Sequence, residues 1–330
     1  MKEKLLITGA NGFIGRFIAI EAIESGLEVY ATVRQNSDIS SLKGMGVHVI
    51  TIDYNNQTEL TNLFRDGQFK YVIHNAGLTK SPSSEEFLKI NKGLMVSIMD
   101  AISASGHRII KFTYVSSFAS YGPADFQSNG IVTDTSKPHP VTKYGNSKLA
   151  AEQYIRNQKH IPYMIIRPTA VYGPGEKDLL NVFQLVNKHL DIQPALSGQK
   201  LTFIYVKDLA RLILKATLSM HTNRAYFATD GHVYTGSALN GFIKEILGKR
   251  TLSIKIPVPI MKGMAFVTEK AAGLWNSYPI FNLDKVNEFK AKSWNCDVSN
   301  LEPDLGFTAE YDLPKGLAET ISWYKANKWL

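Results

Sequence analysis

The sequence predicts an α/β fold, a doubly wound parallel sheet joined to a smaller C-terminal lobe. Three observations predict it. Short apolar runs alternate with helical patterns through the first half of the 330 residues. A glycine turn, Gly9-Ala10-Asn11-Gly12-Phe13-Ile14-Gly15, separates the first run from the first helix. Polar clusters stand at the ends of several runs, where sheets of this class place their ligands.

Lys4–Thr8 is the first apolar run. The pattern after the glycines (Phe17, Ile18, Ile20, Ala22, Ile23) has helical spacing and stops at Ser25-Gly26. Glu28–Val33 is β-branched and aromatic and reads as a second strand. Val47–Ile52 and Tyr71–His74 read as the third and fourth strands, a helix runs from about Glu85 to Ala104, and Ile109–Ser116 is the fifth strand. The run Leu149–Arg156 continues a helix that carries Tyr144 and Lys148, and Tyr163–Arg167 follows as a sixth strand. Such alternation implies a parallel sheet. The polar clusters at its carboxyl edge are Asp53-Tyr54, Asn75-Ala76-Gly77, Ser116-Ser117 and Arg167-Pro168-Thr169.

Past Gly173 the alternation fades. Asp178–Leu190 reads as helix, Leu201–Val206 as strand and Asp208–Ser219 as helix. From Thr229 the order is looser: Pro257 and Pro259 break a segment, a Met-rich amphipathic stretch follows, and a helix with Ile321, Trp323 and Trp329 closes the chain. The expected division is a dinucleotide-binding domain over 1–172, to which 202–228 returns, and a substrate lobe over 173–201 and 229–330. The Met and Trp residues are expected mainly in the core of that lobe.

Composition narrows the class. Hydrophobic residues make up 44% and charged residues 20%, ordinary for a soluble globular protein. No run is long and apolar enough for a membrane span. The apolar start meets Gly9 too early for a secretory leader, so a cytoplasmic location is expected. One cysteine, Cys296, excludes an internal disulfide and any multi-cysteine metal site, and no metal is expected. The net charge of +8 is scattered without a basic block, which argues against nucleic acid. An anionic cofactor or peripheral contact with acidic lipid heads are better uses of it.

Two patterns carry chemistry. In the glycine turn one glycine permits a tight bend, one lets backbone approach a pyrophosphate, and one lets helix pack on strand; the helix N-terminus then faces the anion. Tyr144 and Lys148 stand four apart on a helix and so share a face. A phenol with a pKa of about 10 is a poor proton shuttle at neutral pH, and an ammonium beside it favours the phenolate.

The chain resembles the extended short-chain dehydrogenase/reductase family, in its epimerase/dehydratase-like form. The matching pieces are Thr8–Gly15, His74-Asn75-Ala76-Gly77, Val115–Gly122, Tyr144-x-x-x-Lys148, Arg167–Pro174 and Phe203–Ala210, in the family's order over roughly residues 1–215. The C-terminal pieces Lys292–Asp297, Leu305-Gly306-Phe307 and Ile321–Tyr324 are similar to the dihydroflavonol-reductase and 3β-hydroxysteroid-dehydrogenase branch. The resemblance implies a Rossmann domain and roles for particular residues. Ser117 would polarise a substrate carbonyl, Tyr144 would move the proton, and Lys148 would hold the nicotinamide ribose and depress the tyrosine pKa. Gly9, Asn11, Gly12, Phe13, Ile14 and Gly15 would face the pyrophosphate. Asp53, with Tyr54 beside it, would meet the adenine amino group, although a strand-end turn cap is the other reading of Asp53. Asn75, Ala76, Gly77, Pro168 and Val171 would complete the cofactor cleft. Asn91 matches the family's helix asparagine, with bonding to neighbouring backbone as the alternative, and His74 is given no chemistry. A homodimer through two helices per subunit is also implied.

Two departures refine the expectation. NAD-preferring relatives place an acid at the end of the second strand; here Val33 and Arg34 stand there, and a guanidinium suits a 2′-phosphate. The expected cofactor is therefore NADP, with NAD as the alternative. Dehydratases carry Asp-Glu after the hydroxyl residue, whereas this chain has Phe118-Ala119, and Gln199–Phe203 lacks the arginine that many epimerases use for substrate phosphates, with Lys200 an imperfect stand-in. The expected function is an NADP(H)-dependent oxidoreductase acting on a lipophilic small-molecule ketone or aldehyde. A nucleotide-sugar epimerase and a non-catalytic cofactor-binding regulator are the alternatives. Val258–Leu274, with Trp275 and Tyr278 nearby, is expected to wall an apolar substrate pocket.

Overall fold

Strand β1, Lys4–Thr8, is apolar on both faces: Leu5 and Ile7 enter one core and Leu6 the opposite one. Burial of each such side chain stabilises by about 1.5–3 kcal/mol, and a strand covered on both sides belongs inside a parallel sheet. The computed structural model describes residues 2–127, 129–274, 279 and 281–330. Trp275 and Tyr278 lie outside them.

Beside β1 the sheet contains β2 (Glu28–Val33), β3 (His48–Thr51), β4 (Tyr71–His74), β5 (Lys111–Val115) and β6 (Tyr163–Pro168). Then come β7 (Ala170–Tyr172), β8 (Leu190–Pro194), β9 (Lys200–Leu201), β10 (Phe203–Tyr205), β11 (Arg224–Ala228), β12 (Tyr234–Thr235) and β13 (Leu252–Ile256). Among the described residues seven parallel strands form the main sheet, in the order β11-β6-β5-β4-β1-β2-β3. The order reverses between β1 and β4, which opens a crevice at their carboxyl ends.

The helices are α1 (Phe13–Glu24), α2 (Gln57–Gly67), α3 (Ser84–Phe87), α4 (Leu94–Ser105), α5 (Lys143–Asn157), α6 (Leu180–Asn187) and α7 (Val206–Leu218), followed by α8 (Ala238–Leu247), α9 (Val258–Leu274), α10 (Leu283–Lys290), α11 (Leu301–Leu305) and α12 (Leu313–Ala326). One face of the sheet is covered by α1 and α7 through Ile18, Ala22, Leu209 and Ile213. The other carries α2, α4 and α5 through Phe64, Met95, Ile98 and Ile155. The helix expected over Glu85–Ala104 is α3 and α4 joined by a π turn, Leu88–Gly93, a wide turn of the kind found at functional positions.

The strand expected at Leu201–Val206 divides into β9 and β10, and the helix after it begins at Val206. Neither strand enters the main sheet; β10 pairs with β7 and β9 with β12. The seventh place is taken by β11, paired with β6. A separate core gathers Tyr172, Phe183, Phe203, Tyr205, Leu317, Ile321 and Tyr324, with Trp323 and Trp329 packed against it. Among the described residues, no helix is long and apolar enough to cross a membrane.

Candidate active site

The crevice at the switch point is built by small residues. Gly9 takes φ +70°, and a Cβ added there would stand 2.7 Å from the Ala76 nitrogen. A Cβ on Gly15 would meet the Gly9 oxygen at 2.0 Å, so α1 packs on the turn only because that position is glycine. Gly12 differs: its Cβ would meet the Gly9 oxygen at 3.3 Å and nothing else nearby. Gly12 also caps α1 without a side-chain acceptor, and the first turn of the helix has no acidic residue. Orphan amides at Phe13, Ile14 and Gly15 therefore remain for an anion. This cradle, open where a side chain would fill it, fits a dinucleotide pyrophosphate.

Around it, Asn75 Nδ2 donates to the Gly9 carbonyl (3.2 Å), and the Asn11 side chain donates to the Asp38 carbonyl (3.0 Å). Phe13 packs edge-on against Phe17, and Ile14 joins the α1–α7 core. The Thr8 hydroxyl accepts from Ala76 N and is hydrogen-bonded to His74 Nδ1 at 2.7 Å. Burial pushes His74 down to about 3, which makes it a neutral packing residue.

At the other end of the crevice, Arg34 is exposed after β2, and its guanidinium makes no ion pair among the described residues. Its backbone is held in a turn by Ser37, whose Oγ accepts from Arg34 N (3.1 Å). Asp53 Oδ1 caps the following turn, accepting from Asn55 N at 2.9 Å. The Tyr54 hydroxyl donates to Thr32 Oγ1 at 2.8 Å, which ties the segment after β3 to β2. Pro168 is buried at the end of β6, and Val171 on β7 is half-buried against the α1–α7 core. These two therefore lie further into the fold than the loop residues.

Helix α5 starts at Thr142, whose Oγ1 accepts from Gly145 N at 3.0 Å. A Cβ on Gly145 would stand 2.2 Å from the Ala119 oxygen, so this glycine lets α5 close onto the turn carrying Ser117. Tyr144 is half-buried there, with the Ser117 side chain near enough to favour its phenolate. Lys148 Nζ donates to the Val115 carbonyl at 2.9 Å and lies 4.8 Å from the Tyr114 ring centroid and 5.9 Å from that of Tyr144. Asn91, in the π turn, binds both polar groups of Leu78 and donates to Ser147 Oγ at 2.8 Å. It thereby fastens the loop after β4 to α5.

The Tyr144 pKa lies on the other side of its ordinary value from the one a neighbouring ammonium alone would give. Burial pushes the phenol up to about 12; the Ser117 side chain lowers it, and the Glu288 carboxylate raises it further. Burial likewise pushes Lys148 down to about 8, opposed by Glu152. The ammonium donates to Val115 and lies 5.9 Å from the Tyr144 ring centroid, and burial is the largest influence on the phenol.

Several important neighbours were not singled out from sequence. Glu152, one turn beyond Lys148 on the same face, forms a buried pair with Arg167 (2.7 Å) and accepts from Ser116 and Ser120 on either side of Ser117. A carboxylate spaced i+4 from Lys148 within a buried stripe was the available signal. From the second lobe, Asp284 on α10 accepts from Lys143 N at 3.0 Å, beside Tyr144. Nothing local in the sequence pairs those two segments.

The expected pocket wall over Val258–Leu274 is helix α9. Met261 and Ala265 pack against Val286 in a small core of their own, while Ile260, Met264, Phe266 and Val267 point outward. The helix has apolar residues on more than one face, and α10 covers only the Met261 side.

Residues 5–227 match the NAD dependent epimerase/dehydratase family. The ceramide reductase of Caulobacter vibrioides (strain NA1000 / CB15N) is 26% identical over 98% of this chain and 95% of its own length. The decarboxylating sterol-4-alpha-carboxylate 3-dehydrogenase of Dictyostelium discoideum is 22% identical over 96% of this chain and 99% of its own. The solved UDP-glucose 4-epimerase of Thermotoga maritima, with UDP-glucose, superposes with a TM-score of 0.80 at 18% identity, covering 98% and 99% of the two chains. That family match spans the glycine cradle, the Ser117 turn and α5, and the chain belongs to the NAD dependent epimerase/dehydratase family of extended short-chain dehydrogenases/reductases.

Proposed function

We propose that the protein is an NADP(H)-dependent oxidoreductase that interconverts a ketone or aldehyde and an alcohol on a lipophilic substrate. The observation that carries the reading is the placement of Tyr144 and Lys148 on one face of α5, which Gly145 lets close onto the turn carrying Ser117 at the carboxyl end of the sheet. Gly9, Gly12, Gly15 and the amides opening α1 would hold the pyrophosphate, Arg34 the 2′-phosphate, and Asp53 the adenine through its second carboxylate oxygen. Lys148 and Asn75 would bracket the nicotinamide end. The bound nicotinamide supplies the hydride.

The chain's own groups then handle the oxygen. Ser117 donates a hydrogen bond to the substrate carbonyl and disperses charge as the alkoxide develops. Tyr144 protonates that oxygen. A phenol held at about 12 is protonated at neutral pH, the form a general acid needs. Lys148, at about 8, carries its charge at neutral pH and stabilises the phenolate left behind.

The substrate class rests on three supports. Phe118-Ala119 cannot move a proton, so dehydration is disfavoured. No arginine stands at Gln199–Phe203 for nucleotide phosphates. Two relatives aligned along nearly the whole chain are named for ceramide and a sterol carboxylate, both lipids. The test follows NADPH absorbance against long-chain ketones, polycyclic ketones and UDP- or GDP-sugars. Consumption of NADPH with a lipophilic ketone is expected. Saturable micromolar binding of a nucleotide sugar, with no lipophilic ketone turned over, overturns the reading in favour of an epimerase.

A further inference from the structure

We propose that α9 is a membrane-surface helix whose outward side rests on an anionic lipid bilayer. Ile260 is 55% exposed, Met264 47%, Phe266 56% and Val267 65%. Ile260, Met264 and Val267 are spaced i, i+4, i+7 and form one stripe, while Met261 and Ala265 are buried on the inner side. A soluble chain scatters exposed apolar residues singly; a continuous stripe on one helix marks a contact surface.

The charges beside the stripe select the partner. Lys262 and Lys270 lie four residues before and after Phe266, both exposed, and Lys270 Nζ lies 5.7 Å from the Phe266 ring centroid. Lys255 precedes the helix on β13, next to Leu252 (67% exposed) and Ile254 (40%). The one acidic residue of α9, Glu269, is turned back to accept from Leu283 N at 3.0 Å. The outward charges are therefore all positive, in a chain of net charge +8. A two-fold contact between copies would bring four of these α9 lysines into one interface, with Glu269 of α9 already engaged. Lysines bordering an apolar stripe instead suit acidic headgroups, with their stems along the hydrocarbon boundary.

The position also suits a lipid substrate. Thr268 Oγ1 donates to the Phe281 carbonyl (2.6 Å), and α10 reaches Lys143 through Asp284, one residue from Tyr144. A bilayer under α9 thus lies beside the candidate active site. This last point rests on the proposed substrate class, whereas the docking surface stands without it.

The test is co-sedimentation of the full chain, without substrate, with phosphatidylcholine vesicles containing or lacking phosphatidylglycerol. Binding to the anionic vesicles is expected, weakened by high salt and by Lys262→Glu with Lys270→Glu. Met264→Glu with Val267→Glu should weaken it by about tenfold or more, since two apolar side chains no longer leave water. All four positions are exposed, and thermal melts check that the variants fold. Absence of binding, or equal binding by parent and Met264/Val267 variant, overturns the proposal. So does a concentration-dependent dimer that the same variant dissociates, which would make this face a contact between copies. Because no substrate is present, failure of the substrate class leaves this result standing.

Discussion

Glu152 on α5 and Arg167 at the end of β6 form a two-pronged ion pair: Arg167 Nε and Nη2 lie 3.0 and 2.7 Å from Glu152 Oε2, with neither side chain more than 1% exposed. Glu152 Oε1 also takes the hydroxyls of Ser116 (2.5 Å) and Ser120 (2.8 Å). The guanidinium is stacked 4.1 Å from the Tyr121 ring centroid. One carboxylate therefore registers three segments against each other: the helix with Tyr144 and Lys148, the turn with Ser117, and strand β6.

Removing one partner of a buried pair leaves the other charge without compensation, at a cost of about 3–5 kcal/mol. Glu152→Gln should lower stability by that order in urea unfolding. Replacing both residues by methionine should recover much of the loss. A change below about 1 kcal/mol in the single variant would mean that water or a neighbour already compensates Arg167.

The sequence pattern made the first half of the sheet legible because its signals are local. The β1–α1–β2 unit follows from an apolar run, a glycine turn and a helical stripe, each readable within one window. Past Gly173 less was legible: a strand was readable at Leu201–Val206, but its division into β9 and β10 and their pairing with β12 and β7 depend on distant segments. Glu152 and Arg167 are 15 positions apart on different elements, so their contact is tertiary. For Tyr144, the charge of Lys148 was visible in the spacing, but the larger desolvation effect depends on what packs around the phenol. The amphipathic character of α9 was visible too, without indicating which side faces the protein.

Tyr144→Phe should reduce turnover by about 10²–10⁴-fold or more, the usual contribution of a general acid, and leave cofactor affinity within a few-fold. The ring keeps its contact with Phe87 (centroids 6.1 Å apart) and loses only the proton. Turnover near that of the parent would remove Tyr144 from the mechanism.

Arg34→Ala should weaken NADPH binding by about ten- to hundredfold and NADH binding much less, because a charge-assisted contact to phosphate is lost in one case only. Arg34 is exposed, so stability should not change. Equal losses for the two cofactors in a titration would show that Arg34 does not read the 2′-phosphate.

Stability should rise from neutral pH into the alkaline range and then turn down. Lys111 and Lys148 are buried and pushed from 10.5 down to about 8, so between those values the unfolded chain holds more protons and stability increases with pH. Above 10 the sign reverses: unfolded tyrosines ionise while Tyr144 and Tyr154 are held protonated up to about 12. Urea midpoints measured across this range should pass through a maximum at about pH 10. Lys111→Met should flatten the rising limb, and a midpoint falling steadily from neutral pH would contradict the account.

Gly12 and Gly15 should fail in different ways when changed to alanine. At Gly15 the added Cβ stands 2.0 Å from the Gly9 oxygen and 2.7 Å from Ala10 Cα, both backbone, so α1 must back away from the turn. Gly15→Ala should therefore lower the melting temperature and weaken cofactor binding together. At Gly12 the backbone is extended (φ −82°, ψ 177°), a conformation alanine adopts freely, and the nearest atom to the new Cβ is 3.3 Å away. Gly12→Ala should melt within a few degrees of the parent. Its methyl group nevertheless fills the space in front of the α1 amides, where a phosphate needs direct backbone contact. NADPH affinity should fall by about tenfold or more, consistent with losing at least one charge-assisted hydrogen bond. A Gly12→Ala protein that binds NADPH as the parent does would place the pyrophosphate somewhere other than this cradle.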